Sequence, residues 1–294
     1  MPDLPLKPTI TPRMLHKSIR AALLHKEWQE QRWRFFLGAI VLSALLAGML
    51  RAQIIPSVEA AVLIYWPVGI LITVFLAMGP VAMERADRTW EFLVAQPISR
   101  AEVLLAKWRA GLWQLVGIMA IATVAGALAL WSRGLRVMPG QGSSELTGEA
   151  FPGMPRWLSG DGGILAQVSS ILHEAPSTHP ILWLGLVGIV STAALASCYT
   201  PFFFILSRAR NEFTAGLGGI LLAIVVHVWL MQLMAVAIGR EWLLVPALLN
   251  PLAPLVLIWF PQTAVFLPIL MVFHGLLWVV LPCVVVRRVA RKAV

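Results

Sequence analysis

The chain has 294 residues, of which 59% are hydrophobic and only 13% are charged, whereas soluble domains hold roughly 45 to 50% apolar and about 25% charged residues. Its charges fall outside a few long apolar blocks, which excludes an ordinary water-soluble globule and predicts a chain that crosses a membrane several times. The net charge of +9 comes from basic residues beside those blocks, where they orient helices in the bilayer, so no nucleic-acid partner is expected.

The N-terminal segment, residues 1–34, is basic and precedes the first apolar block. Apolar residues recur at helical spacing from Leu15 to Leu23, while Lys17, Arg20 and Lys26 fall largely elsewhere, which predicts an amphipathic helix in the cytoplasmic interface. The alternative is a solvated basic tail. A cleaved signal peptide is not expected, because its charged region would be 34 residues long.

Six apolar blocks approach the roughly 20 residues that a transmembrane helix needs. The first lies between Arg34 and Arg51 and is short, so both arginines are expected to snorkel toward the interfaces. The other five extend over about 62–83, 110–131, 181–206, 215–238 and 263–286. The predicted fold is therefore an all-α polytopic membrane protein, with a six-span domain over residues 35–294.

Two segments between spans are unusual. Residues 132–180 form a long loop rich in Gly, Pro and Ser, and residues 242–262 contain four prolines. The second segment is predicted to be a re-entrant or interfacial hairpin, because non-helical backbone at membrane depth must be buried in protein or line a cavity.

Lysine and arginine counts give the orientation. With six spans, 18 of these residues lie on one side of the membrane and 5 on the other. The positive-inside rule then predicts that both termini are cytoplasmic, in a multi-pass protein of the cytoplasmic (inner) membrane, and that the 132–180 loop is extracytoplasmic.

Motifs for catalysis are missing from the sequence. No lysine follows a glycine, so there is no phosphate-binding Gly-Lys loop. His173 and His179 lack the spacing of a zinc-protease motif. His227 and His274 lie within predicted spans, where hydrogen bonding between helices is favoured over a proton or metal path. No catalytic residue, metal or cofactor is predicted, and the two cysteines, both within apolar blocks, imply no disulfide framework.

The cytoplasmic loop after span two, residues 84–109, is predicted to be a helix-turn-helix. Residues 84–94 are compatible with a helix, and Pro97 disfavours helix at the residue before it. Ser99 and Glu102 form a capping box that predicts a second helix running into span three. A solvated connector would not need two helices and a defined turn, so the predicted helix-turn-helix favours a docking surface.

This loop resembles a pattern found in ABC-2 type permeases, the membrane subunits of ATP-binding-cassette exporters. The pattern appears here as Glu84, Arg88-Thr89, Phe92-Leu93, Pro97-Ile98-Ser99-Arg100, Glu102 and Lys107. The segment from His25 to Glu30 is similar to the family's entry to span one. Arg88 departs from the pattern, in which glycine usually precedes the threonine.

The resemblance implies a permease that pairs with a second permease and is driven by a separate ATPase subunit. The loop would dock on that ATPase and convert nucleotide-driven closure into movement of the spans. The implied coupling residues are Glu84, Arg85, Asp87, Arg88, Glu91, Pro97, Ser99, Arg100 and Glu102.

Three other classes compete with this interpretation. A membrane-embedded enzyme is disfavoured, because no predicted span contains an acid. A scaffold or accessory subunit of an export machine and a secondary transporter stay open, although secondary transporters usually have more spans and intramembrane charges. The substrate, the direction of transport and the choice between homodimer and heterodimer are not given by these residues.

Overall fold

The computed structural model describes residues 12–52, 61, 64–86, 99–132, 179–209, 211–237, 249–254, 267–284 and 288. These residues are almost entirely helical and include no strand, which confirms the predicted all-α class. The helices are α1 (Pro12–Ala52), α2 (Pro67–Ala86), α3 (Arg100–Trp131), α4 (Pro180–Leu206), α5 (Glu212–Ala237) and α6 (Leu267–His274), and α6 continues as a π-helix, Gly275–Val280.

Four helices in the described part of the chain are long and apolar enough to cross a membrane. They are Ala21–Ala52, Arg100–Trp131, Pro180–Leu206 and Glu212–Trp229. Two shorter apolar helices, Pro67–Pro80 and Ile269–Val284, coincide with the second and sixth predicted spans. The helices therefore fit a membrane protein, and a count of six spans stays a prediction.

Helix α1 joins the predicted interfacial segment to the first span without a break. Its 41 residues correspond to a length of about 60 Å at 1.5 Å per residue. Buried residues recur along it every three or four positions: Leu23, Glu27, Gln31, Arg34, Gly38, Leu42, Leu46 and Leu50. This spacing forms one helix face, which is polar from Glu27 to Arg34 and apolar beyond.

The buried face of α1 packs along α3, and the two helices run parallel. Phe35 lies against Gly117, and Leu46 lies against Gly126 farther along both helices. The two pairs keep nearly the same register, because eleven residues along α1 are matched by nine along α3. Glycine at both positions of α3 lets the helices approach closely.

Helix α4 runs antiparallel to α3 and covers another of its faces. The indole Nε1 of Trp108 donates a hydrogen bond to Thr200 Oγ1 at 3.2 Å, whereas Thr123, farther along α3, lies against Gly188, nearer the start of α4. Helix α2 also runs antiparallel to α3 and packs against α4 and α5. We call the end of the bundle where α2 ends and α3 begins the charged end.

A turn at residues 249–254 is the described part of the predicted hairpin 242–262. Asn250 is buried there, and its side-chain nitrogen donates to the carbonyl of Val226 in α5 at 3.2 Å. The Asn250 side-chain oxygen accepts from the Leu252 amide at 2.9 Å. Residues 249–252 are thus non-helical backbone packed on α5. The other residues of the hairpin, apart from 253 and 254, lie outside the described ranges, as does 133–178 of the predicted outer loop.

Candidate functional site

A buried lysine joins three helices at the charged end of the bundle. The Lys107 Nζ donates to both carboxylate oxygens of Glu27, at 2.7 and 2.8 Å, and to Glu84 Oε1 at 2.7 Å. The side chains of Lys107, Glu27 and Glu84 are 0%, 1% and 9% exposed. Three charge-assisted bonds match the three protons of the ammonium group, so α1, α2 and α3 are tied together at one point.

A second lysine lies at the solvent edge of this site. Lys26 Nζ lies 3.3 Å from Glu84 Oε1 and 3.1 Å from Glu30 Oε1, and its side chain is 42% exposed. Lys26 thus adds a second positive charge beside the carboxylates of Glu27, Glu30 and Glu84. We call Glu27, Glu84, Lys107 and Lys26 the ion cluster.

The acids of this region lie close enough together to be considered as metal ligands. Carboxylate oxygens of Glu27, Glu30 and Glu84 lie within 4.8 Å of one another. The Lys107 ammonium, however, already bonds Glu27 and Glu84 from the position between them that a cation would take. The lysine supplies the positive charge, so the geometry favours an ion-pair network over a metal centre.

The start of α3 is capped as the capping box predicts. Ser99 has extended backbone geometry, with φ −67° and ψ 142°, and its hydroxyl accepts a hydrogen bond from the Glu102 amide. This arrangement satisfies one of the free amides at the helix N-terminus. It fixes where α3 begins, and the side chain of Arg100, its first residue, is exposed to solvent.

The predicted coupling residues divide into three groups, according to how much of each the structure describes. Glu84, Ser99, Arg100 and Glu102 are described, and of these only Glu84 belongs to the ion cluster. Arg85 lies in α2, but its side chain is outside the described part of the structure. The remaining residues, Asp87, Arg88, Glu91 and Pro97, are outside the described ranges altogether.

The ion cluster unites segments that are far apart in the chain. Glu84 and Lys107 both belong to the loop motif, and Glu27 belongs to the segment from His25 to Glu30. Neither Glu27 nor Lys107 is among the predicted site residues. A signal for Glu27 is present in the sequence: it lies four residues from Leu23 and four from Gln31, on the face of α1 that becomes buried.

Arg34 does not snorkel as predicted but points into the bundle. It is 3% exposed; one guanidinium nitrogen lies 2.9 Å from Glu212 Oε1 at the start of α5, and the other donates to the Phe75 carbonyl at 3.3 Å. Its guanidinium carbon is 5.3 Å from the ring centroids of both Trp33 and Phe75. The side chain stays inside because an acid, a carbonyl and two aromatic faces replace water there.

The two intramembrane histidines lie in different surroundings. His227 on α5 is exposed, and its ring centroid is 5.1 Å from that of Trp66, which precedes α2. His274 is 1% exposed at the junction of α6 with the π-helix, and its ring contacts Phe273. The ring contact of His227 thus joins two segments of the fold, but the structure does not bring the two histidines into one site.

Both charge networks occupy the same half of the bundle. Arg34 follows Glu27 by two helical turns on the same face of α1, about 10 Å farther along the axis. The ion cluster and the contacts of Arg34 together connect α1 to α2, α3 and α5 through buried charged groups. No family model matches this chain, and neither does any curated protein or solved structure.

Proposed function

We propose that this chain is the permease subunit of an ATP-binding-cassette exporter, coupled to a separate ATPase subunit through the loop between α2 and α3. Three features support the proposal: the apolar helices, the resemblance of residues 84–107 to the ABC-2 type motif, and the sequence's lack of a nucleotide-binding loop. ATP hydrolysis then belongs to the partner, and the chain itself is not an enzyme and needs no cofactor.

The ion cluster is the observation that carries the coupling mechanism. Glu84 lies two residues before the end of α2, and Lys107 lies two turns into α3, so the two sides of the loop are bonded to each other and to Glu27 of α1. A partner that pulls on this loop therefore moves three helices together. Glu84 acts as an internal anchor in this mechanism, while exposed residues such as Arg100 contact the ATPase.

The proposed assembly extends the described helices to six spans in the cytoplasmic membrane, with both termini and the charged end on the cytoplasmic side. A second permease, identical or related, completes the transport path. The surrounding bilayer covers the exposed apolar side chains of helices such as α5.

The test is purification of the tagged chain in mild detergent, with mass spectrometry of co-purifying proteins and an ATPase assay. We expect a cassette ATPase in stoichiometric amount, and we expect the Arg100→Glu variant to lose it while still inserting in the membrane. Arg32→Glu, the same charge change at an exposed site on α1, serves as the control and should retain the ATPase. A complex without any ATPase, or loss in both variants alike, would contradict the proposal.

A secondary transporter is the second candidate, and the position of the buried charges favours it. Glu27 and Lys107 lie near the starts of helices long and apolar enough to span a membrane, and buried ionisable groups beside such spans can serve ion-coupled transport. Transport that continues without ATP but stops when the proton gradient is collapsed would favour this candidate. If the chain is instead a scaffold or accessory subunit, we expect neither an ATPase-driven nor a gradient-driven transport activity.

A further inference from the structure

Among the described residues, several buried polar side chains have no hydrogen-bond partner, and three of them lie near the ion cluster. Both polar atoms of the Gln31 and Gln114 amides are buried and unbonded, and so is the Tyr199 hydroxyl. The residues are 4%, 0% and 0% exposed. Buried amides and phenols are normally satisfied by protein or by ordered water, because an unmade hydrogen bond is costly in a low-dielectric interior.

The three side chains come from three helices and lie at similar heights along the axis of the bundle. Gln31 lies one turn beyond Glu27 on the buried face of α1, and Gln114 lies two turns beyond Lys107 on the buried face of α3. The Tyr199 hydroxyl lies against Gly111, midway between Lys107 and Gln114 on α3. Since α1 and α3 run parallel in register, all three groups lie next to the ion cluster, toward the middle of the bundle.

We propose that Gln31, Gln114 and Tyr199 line an internal water-binding site between α1, α3 and α4, next to the ion cluster. An amide offers donors and acceptors, and a phenol offers one of each, so the set suits a ligand that both donates and accepts. The set is uncharged, and Glu27 and Lys107 already neutralise each other, so the ligand needs no charge. Water meets both conditions and forms two to four such bonds in protein interiors.

Bound water at this site changes how the ion cluster responds to movement. If α1 slides along α3, the bonds between Glu27 and Lys107 lengthen, and neighbouring water molecules can bridge the separated groups. The site therefore makes the buried ion pair easier to rearrange than a dry one. This role does not depend on the identity of the partner or on the transport mechanism.

The chain contains two tyrosines, and they form a matched pair for the test. Both are 0% exposed, but the Tyr65 hydroxyl is hydrogen-bonded to Thr123 Oγ1 at 2.8 Å, whereas that of Tyr199 has no partner in the described structure. X-ray radiolysis in ¹⁸O-labelled water generates hydroxyl radicals from bound water and marks the residues beside it. We expect Tyr199 in the purified protein to be labelled several times faster than Tyr65, because bound water lies beside it.

Equal, slow labelling of the two tyrosines would overturn the proposal, and this comparison needs no variant. In the Gln31→Leu/Gln114→Leu variant, the labelling rate of Tyr199 should fall toward that of Tyr65, while Tyr65 itself is unchanged. Gel filtration of the variant establishes that it is folded and monodisperse. An unchanged Tyr199 rate in that folded variant would show that the water does not bind at these amides.

Discussion

The Tyr199 hydroxyl of α4 lies against the backbone of Gly111 in α3, in space that any β-carbon at position 111 would occupy. The contact brings α3 and α4 together one turn from Lys107. It requires glycine because the residue that faces it is a rigid aromatic side chain, fully buried.

Replacing Gly111 by alanine should therefore separate α3 from α4. Overpacking of this kind typically lowers stability by about 1–3 kcal/mol, and the thermal midpoint in detergent should fall accordingly. Gly48→Ala is the matched control, because nothing lies within 4 Å of a β-carbon there. Adding Tyr199→Phe should restore part of the loss, since the nearest remaining ring atom is 2.8 Å from the new methyl group. Equal midpoints for the two alanine variants would contradict the proposed contact.

Gly79→Ala should disconnect Arg34 from Glu212. A β-carbon at position 79 would overlap the Arg34 guanidinium, and the arginine would have to leave the position in which it bonds Glu212 and the Phe75 carbonyl. The variant should thus lose as much thermal stability as Arg34→Met, and combining both changes should add little.

A double-mutant cycle of Arg34→Met and Glu212→Gln measures the same pair directly. We expect a coupling energy of about 0.5–3 kcal/mol, the range for residues in one network. Arg32→Met, on an exposed neighbouring residue, is the control and should not couple to Glu212→Gln. Additive effects of Arg34→Met and Glu212→Gln would show that the pair contributes nothing.

Features set by neighbouring residues were predictable from the sequence. The all-α class follows from long apolar blocks, and the start of α3 follows from Ser99 and Glu102, because a cap depends on residues three positions apart. The direction of Arg34 was not predictable, because its partner lies 178 residues farther along the chain. Without that acid, an arginine beside an apolar block is expected to reach for water.

The ion cluster was predictable only in part. The loop motif singles out Glu84 and Lys107, but a motif does not say which residues touch each other. Their contact with Glu27 depends on the parallel register of α1 and α3, which arises from tertiary packing. Sequence spacing could place Glu27 on the buried face of α1, yet the charge opposite it becomes visible only in the folded chain.

Ser99→Ala should loosen the start of α3. Loss of an N-cap side chain typically costs about 0.5–2 kcal/mol, and hydrogen exchange of the amides at residues 102 and 103 should become faster. Ser99→Asp retains an acceptor at the cap and should leave exchange slow. Exchange that is equally slow in the alanine variant would mean that the capping bond seen at 3.3 Å does not hold the helix start.

Lys107→Met should be the most damaging change at the charged end. It leaves the carboxylates of Glu27 and Glu84 buried beside each other without the ammonium that bonds both, and breaking a buried ion pair in this way typically costs about 3–5 kcal/mol. Lys26→Met is the control: that side chain is 42% exposed, so its loss should cost no more than about 1 kcal/mol. Thermal midpoints of both variants at neutral pH give the comparison.

The Lys107→Met variant also has a characteristic pH dependence. Acidification protonates the buried Glu27 carboxylate, which has lost its ammonium partner, and so removes its repulsion with Glu84. The midpoint of the variant should therefore move closer to that of the unmodified chain as the pH falls, whereas the Lys26→Met variant, whose loss of stability is small at neutral pH, should show only a small change. The Glu27→Gln/Glu84→Gln/Lys107→Met variant, which has no charge left at these three positions, should recover much of the lost stability at neutral pH. If it is as unstable as Lys107→Met alone, shape and hydrogen bonding outweigh charge in holding the three helices together.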